Sequence, residues 1–199
     1  MAGAKQFDID QALDAAMRVF WEKGFEGTSY THLMAATGLN KSSLYNAYGD
    51  KEALYQHCLE RYAEIFGTRL CERLNDADIG TAIAGFLDEL VSRFQCSDAP
   101  GGCMSTFAAF EIGCRHKSLG ERIRQQFETI ENAMRARCER AVADGQLPAN
   151  TDVSALASFF QVMTRGLAAV HLGYGDVAAV ERAIRAMMQV LKRPPLLDS

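Results

Sequence analysis

The sequence predicts an all-α protein with a small three-helix unit at its N-terminus and a larger helical body behind it. Three observations carry this. Apolar residues recur at spacings of three and four along nearly the whole chain, the period of amphipathic helices. The four prolines, at 100, 148, 194 and 195, all lie outside the periodic stretches. Side chains that accept from backbone N–H groups, such as Ser29, Asn40 and Asp176, stand immediately before periodic runs. With 199 residues and 48% hydrophobic content, the chain can bury a substantial core.

The first helix is expected to start in a capping box formed by Asp8 and Gln11. It presents Ile9, Leu13, Ala16, Val19 and Phe20 on one stripe and ends at Gly24. Ser29 caps a second helix of about two turns, in which Leu33, Met34 and Thr37 share a face, and Gly38 supplies the permissive turn. Asn40 caps a third, whose Leu44 points inward. From Lys51 to about Leu74 a nearly continuous stripe of Leu54, Tyr55, Cys58, Leu59, Tyr62, Ile65, Phe66 and Leu70 predicts one long helix. Further helices are expected over 79–94, 103–115 and 119–144, with a loop at 97–102 and with Gly145 and Pro148 closing the third of them. Glu131 and Arg135 are placed for an i, i+4 ion pair. The last two helices, Val153–Leu172 and Val177–Lys192, carry apolar residues round most of their circumference. That excess is best buried in a four-helix bundle built by two copies of the chain.

Two short helices joined at Gly38, followed at once by the helix at Lys51, have the layout of a helix-turn-helix DNA reader. Lys41, Ser42, Ser43, Tyr45 and Asn46 are then left on the outer face to meet DNA. Acids outnumber bases by three over residues 1–60, which is unusual for a DNA-binding segment. Between Glu26 and Asp50, however, the only formal charge is Lys41, so the acids sit to either side of the reading surface. The Tyr45 hydroxyl and the start of the helix at Asp50-Lys51 offer seats for phosphate.

The run Ala12-Leu13-Asp14-Ala15-Ala16-Met17-Arg18-Val19-Phe20-Trp21-Glu22-Lys23-Gly24-Phe25-Glu26-Gly27-Thr28-Ser29 continues through Gly38-Leu39-Asn40-Lys41 and Leu44-Tyr45 to Gly49-Asp50-Lys51-Glu52-Ala53-Leu54. This pattern resembles the N-terminal domain of the tetracycline-repressor-like (TetR) family. The resemblance implies an all-helical homodimer on operator DNA, released when a small molecule occupies the C-terminal part. On that basis residues 1–50 form the DNA-binding domain and 51–199 the effector-binding and dimerisation domain. Ser29, Lys41, Ser42, Ser43, Tyr45, Asn46 and Lys51 become DNA contacts, with Tyr45 and Lys51 on phosphate. Two positions depart from the family pattern. Met34 stands where a small Ala is usual, and Ala47-Tyr48 replaces His-Phe, removing one phosphate ligand.

An effector pocket is expected from Tyr62, Phe66, Phe86, Met104, Phe107, Phe110, Phe127 and Met163, with Glu111 as a polar member. These positions imply a partly apolar ligand, although Phe and Met at helical spacing also describe an ordinary core. Cys103 opens a helix after a glycine pair, where a thiolate is favoured, so sensing of oxidants or electrophiles is an alternative. The six cysteines lack zinc-type spacing and are expected to be reduced, and neither Cys114 with His116 nor His57 with Cys58 makes a metal site. No cofactor is implied. Nucleophile elbows, phosphate loops and metallohydrolase motifs do not occur, which leaves a thiol-dependent enzyme at Cys103 or Cys114 as the alternative from another class. The longest uncharged apolar run, Val153–Thr164, is too short for a bilayer and no signal-like leader opens the sequence, so a cytoplasmic location is expected.

Overall fold

The computed structural model describes residues 2–94 and 100–192, with side chains from Ile9 onward. All regular structure among these residues is helical: α1 (Ala2–Gly27), α2 (Tyr30–Thr37), α3 (Lys41–Tyr48), α4 (Lys51–Tyr62), a π turn (Ala63–Gly67), α5 (Thr68–Arg73), α6 (Ile79–Phe94), α7 (Met104–Ile112), α8 (Lys117–Ala143), α9 (Val153–Tyr174) and α10 (Val177–Lys192). They form two compact units. One runs to Ile65 and takes in Met104–Arg124, and the other holds Phe66 to the end of α6, Gly101–Cys103 and the chain from Gln125.

The first unit is built around aromatic rings. Phe20 of α1 lies 4.7 Å from the Tyr55 ring of α4, Phe25 lies 5.1 Å from the same ring, and Trp21 meets Tyr62 edge-on at 5.0 Å. Leu33, Leu44, Leu54 and Leu59 are fully buried with them, each contributing roughly 1.5–3 kcal/mol on leaving water. Polar ties fix the helices in rotation. Arg61 donates to both oxygens of Asp14 at 2.9 and 3.4 Å, and the Tyr48 hydroxyl donates to the Ile9 carbonyl at 2.6 Å.

In the second unit α6 contributes Ile83, Phe86, Leu87 and Leu90 to the core. Its start is held by Asp78, whose carboxylate accepts from Thr81 N at 2.7 Å and is thereby kept below the usual carboxylate range. Gln146 accepts from Ile79 N at 2.7 Å, and the buried Arg137 donates to the Ala77 carbonyl at 2.8 Å.

Several expectations change. Residue 8 lies within α1 rather than at its start, since the helix begins six residues earlier. The stripe from Lys51 to Leu74 is broken by the π turn, whose wider winding shifts the register and leaves Ile65 and Phe66 half-buried. Cys103 precedes α7 instead of lying in it, and α7 ends at Ile112. α9 continues two residues beyond Leu172, to Tyr174, and is capped by Gly175 in the left-handed region. By length and composition alone α9 is also apolar enough to cross a membrane, a test that core helices pass too. The loop expected at 97–102 falls partly outside the described residues, as does Cys96.

Candidate nucleic-acid interface

The segment from Ser29 to Lys51 is shaped by three caps and two glycines. Ser29 accepts from His32 N while the His32 ring accepts from Ser29 N, both at 3.2 Å, closing a reciprocal capping box. Gly38 takes φ 70°, which an L side chain adopts only under strain, and turns the chain between α2 and α3. Asn40 Oδ1 accepts from Ser43 N at 2.8 Å, and Asp50 Oδ1 accepts from Ala53 N at 2.9 Å. α3 is therefore a two-turn helix anchored by Leu44 and Tyr48, both buried.

Anchoring at Leu44 and Tyr48 exposes the opposite edge. Lys41, Ser42, Tyr45 and Asn46 are exposed and Ser43 is half-buried, so four of the five share one accessible face of α3. Tyr45 is 59% exposed, unusual for an aromatic side chain in a packed unit. The Lys41 ammonium rests 4.7 Å from the Tyr30 ring centre, and that of Lys51 lies 4.5 Å from the Phe25 ring centre. Lys51 thus stands half-buried at the first turn of α4, where backbone N–H groups lack helical partners. Ser29 is exposed beside this edge. The face has one acid nearby at each side: Asp50 is committed to its cap, and Glu26 lies 3.7 Å from His116.

The residues expected in an effector pocket are distributed over both units. In the second, Phe86 lines a narrow apolar cleft with Ile130, Met134, Ala157 and Phe160, bordered by Glu131, Gln161 and Thr164. Phe127 lies under the guanidinium of Arg165 at 4.0 Å, Met163 is half-buried, and the Phe66 ring is 5.2 Å from Arg93. In the first unit Tyr62 and Met104 are buried and Phe107 is half-buried, whereas Phe110 is 73% exposed. Glu111 spends both carboxylate oxygens on backbone: Oε2 accepts from Phe25 N at 2.8 Å and Oε1 from Glu26 N at 2.9 Å. Arg165 and Gln161 were not among the expected site residues. A single formal charge inside the otherwise apolar α9 was the available sign of Arg165, and Gln161 lies one turn before it.

Residues 12–58 match the family model described as bacterial regulatory proteins, tetR family, and residues 81–187 match that of the tetracyclin repressor-like C-terminal domain. The chain is 31% identical to the HTH-type transcriptional repressor ComR of Escherichia coli K12, over 82% of this chain and 79% of that one. It is 28% identical to YezE, an uncharacterised HTH-type transcriptional regulator of Bacillus subtilis, over 96% and 100%. Among solved structures, a cysteine-substituted TetR-family regulator CifR in complex with 26 bp of double-strand operator DNA superposes with a TM-score of 0.81 at 32% identity, covering 89% of this chain and 95% of that one. A TetR regulator of Chloroflexus aurantiacus shares the fold with a TM-score of 0.86 at 23% identity, over 94% and 96%. The capped α2–Gly38–α3 unit and the matches to both parts of the chain lead to one conclusion: the protein belongs to the TetR family of helix-turn-helix transcriptional regulators.

Proposed function

We propose that this regulator represses transcription by binding a pseudo-palindromic duplex as a homodimer and leaves it when a small, partly apolar effector is bound. The observation that carries the reading is the exposed edge of α3, where Lys41, Ser42, Tyr45 and Asn46 stand free of the core on a helix fixed by Leu44. Residues 1–50 supply the reading unit and the remainder the effector and dimer functions. Lys51 and Tyr45 hold phosphate, Ser29 supports them from the start of α2, and Lys41, Ser42, Ser43 and Asn46 face the bases. The partner chain packs on α9 and α10, where Val162, Leu172, Tyr174 and Val177 are large apolar side chains exposed in the single chain. The effector opens the cleft at Phe86, its apolar body against Met134 and Phe160 and its polar end toward Glu131, Gln161 or Thr164. Phe66, Phe127 and Met163, which belong to the same unit as the cleft, remain candidates for contacts made as it opens. The relatives are regulators of transcription, which supports a role in the cytoplasm and none as an enzyme.

A second mode of release is favoured by one contact. The Arg165 guanidinium lies 3.7 Å from Cys103 Sγ, so an electrophile that modified this thiol would disturb the start of α7. Binding of a duplex selected by the protein from a random library, measured beside a scrambled duplex over a salt series, tests the reading. Selective binding that falls steeply with salt is expected. Equal affinity for the two duplexes would sink it. Release by an electrophile that persists after Cys103→Ser would exclude the second mode.

A further inference from the structure

We infer that Glu111 is a positioning residue for DNA reading: its carboxylate, seated in the notch left by Gly24, sets the direction in which the chain leaves α1 for α2 and α3. The inference rests on the DNA-binding reading above. Its starting point is the exit of α1. At Gly24 the backbone turns to φ 74°, ψ 178°, so the residues just beyond it cannot take their hydrogen bonds from the helix in the ordinary way. The N–H groups of Phe25 and Glu26 instead donate to the two oxygens of Glu111, at 2.8 and 2.9 Å, across more than eighty residues of sequence. Such bonds to an ionised acceptor are about twice as strong as neutral ones. The Gly24 carbonyl is taken by the Thr28 hydroxyl at 2.6 Å, one residue before the cap of α2. The whole turn from α1 to Ser29 is thus tied down by one remote carboxylate and one local hydroxyl.

The fit is tight. A Cβ at residue 24 would stand 2.6 Å from Glu111 Oε1 and 2.7 Å from Oε2, so only glycine leaves room for the carboxylate, and the positive φ independently requires glycine. The surroundings reinforce the grip. The His116 ring meets Phe25 edge-on at 5.1 Å and its nitrogens lie 3.7 Å from Glu26 and 3.9 Å from Glu52. Lys51 sits over the Phe25 ring. The buried Tyr55 phenol is held protonated by its burial first and by the negative charge of Glu111 next. One short stretch, Glu111 to His116, therefore fastens the end of α1 beside the first turn of α4, the two supports between which α2 and α3 are hung. By its place among the apolar residues of α7, Glu111 is expected as the polar member of an effector pocket. The geometry gives it to the reading head.

The test compares wild type with Glu111→Ala, Glu111→Gln and Gly24→Ala. Each binds the duplex selected by wild type and its scrambled counterpart, and amide hydrogen exchange is followed at Phe25, Glu26 and, as an internal standard, Leu59. Glu111→Ala is expected to lower affinity for the selected duplex about tenfold, which is about 1.4 kcal/mol, while affinity for the scrambled duplex and protection at Leu59 stay as in wild type. Glu111→Gln, which keeps one acceptor oxygen, is expected to recover part of the loss. Gly24→Ala is expected to reproduce it, and the double variant with Glu111→Ala to lose little more, because one change fills the notch and the other removes its occupant, so both abolish the same seating of the carboxylate. An unchanged ratio of selected to scrambled binding in Glu111→Ala would overturn the inference, as would a full additive loss in the double variant. If Glu111→Ala does not fold, the ratio in Glu111→Gln decides by the same criterion. Exposed amides at Phe25 and Glu26 with intact selectivity would refute the positioning role alone, whereas a wild type without selectivity would remove the functional reading beneath it.

Discussion

Tyr48 shows how much one hydroxyl can decide. In the sequence it is half of the Ala47-Tyr48 pair that stands in place of His-Phe, a replacement expected to remove one phosphate ligand. In the structure Tyr48 is buried and donates to the Ile9 carbonyl at 2.6 Å across 39 residues, a partner that no local pattern could have named. Burial first, and then the nearby negative charges of Cys58, Asp10 and Asp14, push its pKa up from 10.0 to about 12. The folded pKa is above the unfolded one, so the stability this favours is fully present below about pH 10 and is lost as pH rises through 12. Tyr48→Phe is expected to cost about 1 kcal/mol at neutral pH and to flatten the alkaline limb. Urea unfolding at pH 8 and pH 11 checks both, and an unaltered alkaline limb would contradict the assignment. The cap residues Ser29, Asn40 and Asp176 are legible because a cap is a local contract between neighbours.

At the scale of elements, hydrophobic period located the helices from α2 to α10 closely, yet it could not show the π turn at Ala63–Gly67. One extra residue in a turn barely changes an apolar stripe, while it rotates everything beyond it. Nor could it divide the apolar circumference of α9 and α10 between core and interface. In the structure Val180 and Met187 are buried within the chain, at 2% and 0%, while Val162 is 68% exposed. The two kinds of position predict opposite outcomes. Val162→Glu is expected to yield monomers in sedimentation velocity with little change in the unfolding midpoint. Val180→Glu buries an unpaired carboxylate and is expected to cost about 3–5 kcal/mol of stability. A Val162→Glu protein that sediments as a dimer would place the interface elsewhere.

For the molecule as a whole, the sequence disclosed the reading head more fully than the parts that control it. A helix-turn-helix is contiguous, so Ser29 to Lys51 carries its own caps, turn and outer edge in order. The cleft at Phe86 is assembled from α6, α8 and α9, and the support for α1 comes from Glu111 in α7; such sites depend on tertiary packing that spacing does not encode. The central claim is that the exposed edge of α3 reads bases while the start of α4 holds phosphate. Equilibrium binding of Asn46→Ala to a panel of single-base variants of the selected duplex addresses it most directly. The account predicts that discrimination, about 1–3 kcal/mol per contacted base pair, disappears at one or two positions placed symmetrically in the two half-sites and persists at the others. A panel profile identical to that of wild type, merely shifted to weaker binding throughout, would contradict it.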